Sequence, residues 1–220
     1  MPINKAIFAR LIPFIFYIIV MVLSGFLADL NMDIRWIYAI RVVGTALILF
    51  FLRRQYIELV PQIRMSPSSL ILAILTGAMV FILWVNLDQS WMILGKAVGY
   101  DPRTSTGSLN YPMIAMRLAG AVLVVPLMEE LFWRSLLMRW IDRMEFMTIL
   151  PSNVSFKAIL ISSLLFASEH TLWFAGLIAG LAYAWLYHKT QNLWTSIVAH
   201  AVTNGLLGAW VVYTSRWSYW

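Results

Sequence analysis

Long apolar runs alternate with short polar segments along the chain. The runs fall at Leu11–Ala28, Trp36–Leu52, Leu70–Leu87, Tyr111–Trp140, Lys157–His170, Leu172–Tyr187 and Leu193–Tyr213. A helix rises about 1.5 Å per residue and needs about 20 apolar residues to cross the hydrocarbon of a bilayer, so these runs have spanning or near-spanning length. The pattern predicts an all-α, polytopic transmembrane helical bundle of seven helices, eight if one run breaks. The fourth run is longer than a bilayer needs, and its end is expected to continue into the cytoplasm as a surface helix. The fifth is short and is expected to be buried among its neighbours. The first is long enough to span and lacks a small-residue cleavage pattern, so it reads as a helix and not as a removed leader. Polar segments such as RRQYIELVPQIRMSPSS, DPRTSTGSLN and DRMEFMTILPSN join the runs, and none reads as a soluble domain. The chain divides into residues 1–110, the N-terminal transmembrane helices, and residues 111–220.

Composition strengthens this picture. Hydrophobic residues make up 61% and charged residues 12%, about half the charge of a soluble domain. The partner implied first is therefore the lipid bilayer. With no cysteine in the chain, disulfides, thiolate metal sites and cysteine catalysis are excluded. The net charge of +6 reads as a topology signal, with no nucleic acid implied. Placing the N-terminus in the cytoplasm puts Lys5, Arg10, Arg53, Arg54, Arg64, Arg134, Arg139, Arg143, Lys157 and Lys189 on that side, against Arg35, Lys96, Arg103 and Arg216 outside. This positive-inside bias predicts a multi-pass protein of the cell inner (cytoplasmic) membrane with a cytoplasmic N-terminus. Arg41 and Arg117 lie near the outer ends of their helices and are expected to snorkel to the headgroups.

Few polar residues lie inside the apolar runs, and such residues are costly there unless paired or wetted. Glu129 and Glu130 lie in the fourth run, Glu169 and His170 close the fifth, and His200 and Asn204 lie in the seventh. Counted from the cytoplasmic boundary, Glu129 lies ~15 Å deep, His170 ~20 Å, His200 ~10 Å and Asn204 ~16 Å. Three helices thus bring these groups to similar depth, which argues for one convergent site. Glu130 and Arg134, at i and i+4, are expected to pair. Glu129 points about 100° away and stays available as a base for a trapped water. His188 reads as an interfacial side chain, and Glu169 as lining the site or the outer turn.

The residues alone leave several functions open. Interhelical hydrogen bonding explains single polar residues but not adjacent glutamates. A proton-coupled transporter would use the same glutamate and histidines as relays. A haem protein with His170 and His200 as ligands leaves Glu129, Glu130 and Arg134 without a role. Two histidines and a carboxylate, with Asn204 as a weaker ligand, form a set zinc would accept, although the single-helix HExxH signature is absent.

The motifs EELFWR (Glu129 to Arg134), FASEH (Phe166 to His170) and HAVTN (His200 to Asn204) resemble, in that order, the EExxxR, FxxxH and HxxxN/D motifs of the CPBP family of intramembrane proteases. That family includes the type II CAAX prenyl endopeptidases and bacteriocin-processing relatives. The resemblance covers Val124 to Leu207, and within it Ser135 stands where many relatives have glycine. It implies that residues 111–220 are the catalytic helices and that the chain hydrolyses a peptide bond near the C-terminus of a membrane-associated or lipidated protein or peptide. On this resemblance Glu129 activates the water, His170 orients water or holds the substrate, and His200 and Asn204 stabilise the oxyanion. Glu130, Arg134 and Phe166 support them. No obligatory metal is expected; a bound zinc would take Glu129, His170, His200 and Asn204. The site is expected to open toward the cytoplasmic leaflet. A non-proteolytic membrane scaffold remains the other role that such relatives suggest.

Overall fold

Each apolar run folds as one helix. The computed structural model describes residues 5–30, 36–60, 65–95, 99–104 and 106–220; Arg35, Arg64 and Lys96, which enter the charge balance, lie outside them. The described helices are α1 (Lys5–Asp29), α2 (Ile37–Leu52), α3 (Pro67–Trp84), α4 (Tyr111–Trp140), α5 (Phe156–Ser168), α6 (Trp173–Thr190) and α7 (Leu193–Thr214). Polar residues at the junctions set their starts. Ser66, Asn110, Ser155 and Asn192 each accept a backbone N–H of the following first turn, satisfying donors that a helix N-terminus leaves open.

Among the described residues, four segments, within α1, α3, α4 and α7, are long and apolar enough to cross a membrane. Their outward faces fit lipid. Ile19, Val22 and Phe26 of α1, Leu75 and Ile82 of α3 and Leu123 of α4 are all exposed, a continuity of apolar surface that water would not tolerate. Inside, α1 packs on α2, α3 on α7, and α5 on α6. Close approach depends on small residues: a Cβ on Gly77 of α3 would lie 2.4 Å from the Ala199 carbonyl of α7. At that crossing Thr203 donates to the Gly77 carbonyl at 2.9 Å.

α4 departs from the sequence expectation. It remains one helix, but Gly120–Val124 and Leu131–Leu137 have π geometry, on either side of the α-helical turns Val125–Glu130. Its end is no surface helix: Leu131, Trp133, Arg134, Ser135, Leu136, Met138 and Arg139 are buried. The polar residues at that end have partners inside the bundle. Arg10 of α1 donates to Glu58 at 2.8 Å and to Ser135 at 3.2 Å, Ser135 donates to Glu58, and Arg139 donates to the Ser135 hydroxyl at 2.7 Å. The Arg10 and Arg139 guanidiniums both lie 5.2 Å from the Phe146 ring. Burial opposes ionisation of Glu58, in the loop after α2, but its bonds to Arg10 and Ser135 outweigh burial and hold its carboxyl below the usual range. This latch ties α1, the α2–α3 loop and α4 together at one end of the bundle.

Candidate intramembrane active site

The candidate site lies away from the latch, where α4, α5, α6 and α7 meet. Glu129, Phe166, His170, His200 and Asn204 line one cavity of about 180 Å³, with Tyr183 and Thr203. The convergence expected from helix depth is therefore present.

Most of the polar side chains here are held by a specific partner. Glu130 is fully buried and lies 3.0 Å from Arg134 Nε, the expected i, i+4 pair. Its other oxygen lies 2.9 Å from His200 Nδ1. A carboxylate accepts, so Nδ1 carries the proton and His200 keeps Nε2 for the cavity. The imidazole is clamped on the Tyr183 ring, stacked at 5.0 Å and 19°. His170 is fixed in the same sense by another device: Nδ1 donates to the Phe166 carbonyl one turn back, at 2.8 Å. The FxxxH spacing is thus a structural unit. The Phe166 ring lies 4.6 Å from His170 and 6.2 Å from His200, with the Arg134 guanidinium 4.5 Å from it.

Asn204 is positioned by the first π turn. Val125 donates its N–H to Gly120, five residues back, and Pro126 has no N–H to give. Neither can serve the Ala121 carbonyl, and the Asn204 amide does so at 2.8 Å. One amide hydrogen is thereby committed, leaving the other and the carbonyl oxygen for chemistry.

Glu129 contrasts with Glu130, His200, His170 and Asn204. It is buried, its Oε2 has no hydrogen-bond partner among the described residues, and it lines both the central cavity and an adjoining one of about 350 Å³. Buried polar atoms are nearly always satisfied, so an orphaned carboxylate oxygen in a cavity wall marks a group held ready for water or substrate. Glu169 closes α5 and lines the adjoining cavity. His188 lies elsewhere, its Nδ1 donating to the Pro151 carbonyl at 3.0 Å.

Two expectations need correction. The cavities reach the end of the bundle formed by Trp84, Arg117, Tyr219 and Trp220, opposite the latch. With the N-terminus in the cytoplasm, that end is the outer one, so that orientation and an opening toward the cytoplasmic leaflet do not hold together. Depth counts place side chains along the membrane normal but say nothing of which end is filled, and here the latch fills the other. Second, Arg41 and Arg117 do not snorkel away, since both line the adjoining cavity.

The donor chemistry of Glu129 and two Nε2 atoms suits zinc, but among the described residues no group of three His, Asp or Glu lies placed to hold a metal ion.

Residues 104–206, which contain all three motifs, match the family described as type II CAAX prenyl endopeptidase Rce1-like. That match spans a little under half of the chain and makes this segment similar to a family of prenyl endopeptidases. No curated protein and no solved structure matches the chain.

Proposed function

We propose that the chain is an endopeptidase that cleaves near the C-terminus of a membrane-associated or lipidated substrate, with Glu129 as the base for the attacking water. The observation that carries this reading is the orphaned Glu129 oxygen in a cavity shared with two histidines and Asn204. Glu129 takes a proton from water as the water oxygen bonds to the scissile carbonyl carbon. Charge then grows on the carbonyl oxygen, and pre-set donors stabilise it. The free amide hydrogen of Asn204 is one. His200 is a second when Nε2 also carries a proton, with Glu130 accepting from Nδ1. His170 holds the water through Nε2. Collapse of the tetrahedral intermediate passes that proton to the departing amine, and the new carboxyl group then gives its own proton to the amine or to solvent. No obligatory metal takes part, so extended chelation leaves cleavage unchanged.

The protein is proposed to lie in the cytoplasmic membrane with its N-terminus inside, so the cavity is approached from the outer half. C-terminal proteomics of membranes carrying the native chain or Glu129→Gln at equal abundance tests the reaction. New C-termini found only with the native chain support it. Identical profiles from two folded proteins reject it and favour a scaffold or proton-relay role for the same residues.

A further inference from the structure

Two sets among the described arginines contrast in their partners. Arg10, Arg103 and Arg134 each have a carboxylate partner, Glu58, Asp101 and Glu130 respectively. Arg41 and Arg117 form no ion pair with a described acid, and the Nε of each is buried without a hydrogen-bond partner. Both guanidiniums lie 4.9 Å from the same ring, that of Tyr38. Arg41 also lies 4.5 Å from Tyr17, and Arg117 4.7 Å from Tyr100 and 5.4 Å from Trp220. Aromatic faces fix a guanidinium through its charge without consuming its N–H groups, so those donors stay free for a ligand. Two like charges on one ring also repel, and an anion between them would relieve that repulsion.

Both arginines line the 350 Å³ cavity that Glu129, Glu169 and His170 also line. That wall is polarised, with cations contributed by α2 and α4 and carboxylates by α4 and the end of α5. A ligand with a negative end is therefore aligned, its anion drawn to the arginines. A peptide has such an end in its terminal carboxylate, whose two oxygens match the guanidinium fork. We propose that Arg41 and Arg117 anchor the free C-terminal carboxylate of the substrate and so set cleavage a short distance from the chain end. This rests on the peptidase reading above and adds to it the specificity residues and the group they read.

The test uses the full chain in detergent as the Glu129→Gln variant, so that a ligand is bound and not consumed. The probe is acetyl-trileucine as free acid and as C-terminal amide, and the signal is tryptophan fluorescence, since Trp84 and Trp220 line the cavity. The acid is expected to bind about tenfold more tightly than the amide. Adding Arg117→Gln or Arg41→Gln should reduce that preference below about threefold and leave amide binding unchanged, which also reports that the variant is folded. Equal binding of acid and amide overturns the proposal, as does a preference that survives both substitutions together. Phosphatidylglycerol added at one per protein provides the second arm. Loss of the acid preference there overturns the assignment in favour of a headgroup phosphate. Cleavage without a carboxylate preference removes the anchor alone; a preference without cleavage removes the peptidase reading and leaves the carboxylate site standing.

Discussion

Two buried polar clusters sit at opposite ends of this bundle, and they differ in how completely they are satisfied. In the latch, Arg10 donates to Glu58, Ser135 and the carbonyls of Ala6 and Gln55, Ser135 bonds Glu58, and Arg139 bonds Ser135. Around the cavity, Glu129, Arg41 and Arg117 each keep a buried atom without a partner. Both clusters are costly to place in a membrane. In the first the cost is offset by bonds within the protein, which is what a structural device requires. In the second it is left open toward a void, as expected of groups that act on something else. Between the two lies Glu130, ion-paired with Arg134 and bonded to His200: the same residue type one position from Glu129, which has no such ion pair among the described residues.

The sharpest way to break this contrast is to neutralise one carboxylate in each cluster. Glu129→Gln should lower cleavage about a thousandfold and change unfolding free energy by less than about 1 kcal/mol. Glu58→Gln should do the reverse, costing about 3–5 kcal/mol by leaving Arg10 buried without its counter-charge, with turnover per folded molecule preserved. Denaturation and cleavage assays on both variants decide the matter; an unstable Glu129→Gln beside a silent Glu58→Gln would invert the assignment.

A middle-sized effect is expected at Ser135. Replacement by glycine removes the hydroxyl shared by Glu58, Arg10 and Arg139 and loosens the helix, for a total of about 2 kcal/mol, read as a lower midpoint of thermal unfolding with residual activity intact. Asn204→Leu keeps side-chain size but orphans the Ala121 carbonyl, costing about 1–3 kcal/mol. Unlike Ser135→Gly it should also depress kcat, which separates the two clusters by kinetics. The smallest effect at neutral pH comes from titration. Because the folded Glu58 carboxyl is held below its unfolded value of about 4.3, its contribution is complete above that pH. It fades as pH falls through the lower, folded value. Native protein should lose stability below about pH 4 more steeply than Glu58→Gln does, and parallel acid curves for the two would remove Glu58 from the account.

The apolar runs gave all seven described helices because lipid-facing and core-facing residues alike are apolar, which makes helix existence easy to read. Glu129, His170, His200 and Asn204 were legible as a set since each interrupts such a run at comparable depth. What escaped were side-chain pairings across long separations. Nothing local connects Arg10 with Glu58 or Ser135, 48 and 125 residues away, and without that pairing the length of the fourth run points to a surface helix at its end. Arg41 and Arg117 were placed at the right depth but given the wrong facing, because periodicity is blurred where every face is apolar. The π turns had no signal of their own beyond Pro126, whose missing N–H does point to a carbonyl in need of a donor.

Those turns make residue counting part of the chemistry. An α-helix advances about 100° per residue, and a π turn absorbs one residue more than an α turn does. Winding the same residues of Gly120–Val124 as an ordinary α-helix would still leave a segment long enough to cross the membrane. It would also swing one side of that turn about 100° relative to the other. Glu130 would then leave the line of His200, or Arg117 the line of Tyr38. The surplus residue acts as an angular spacer: it sets the two glutamates to face α7 while the start of α4 keeps its own seat against α2.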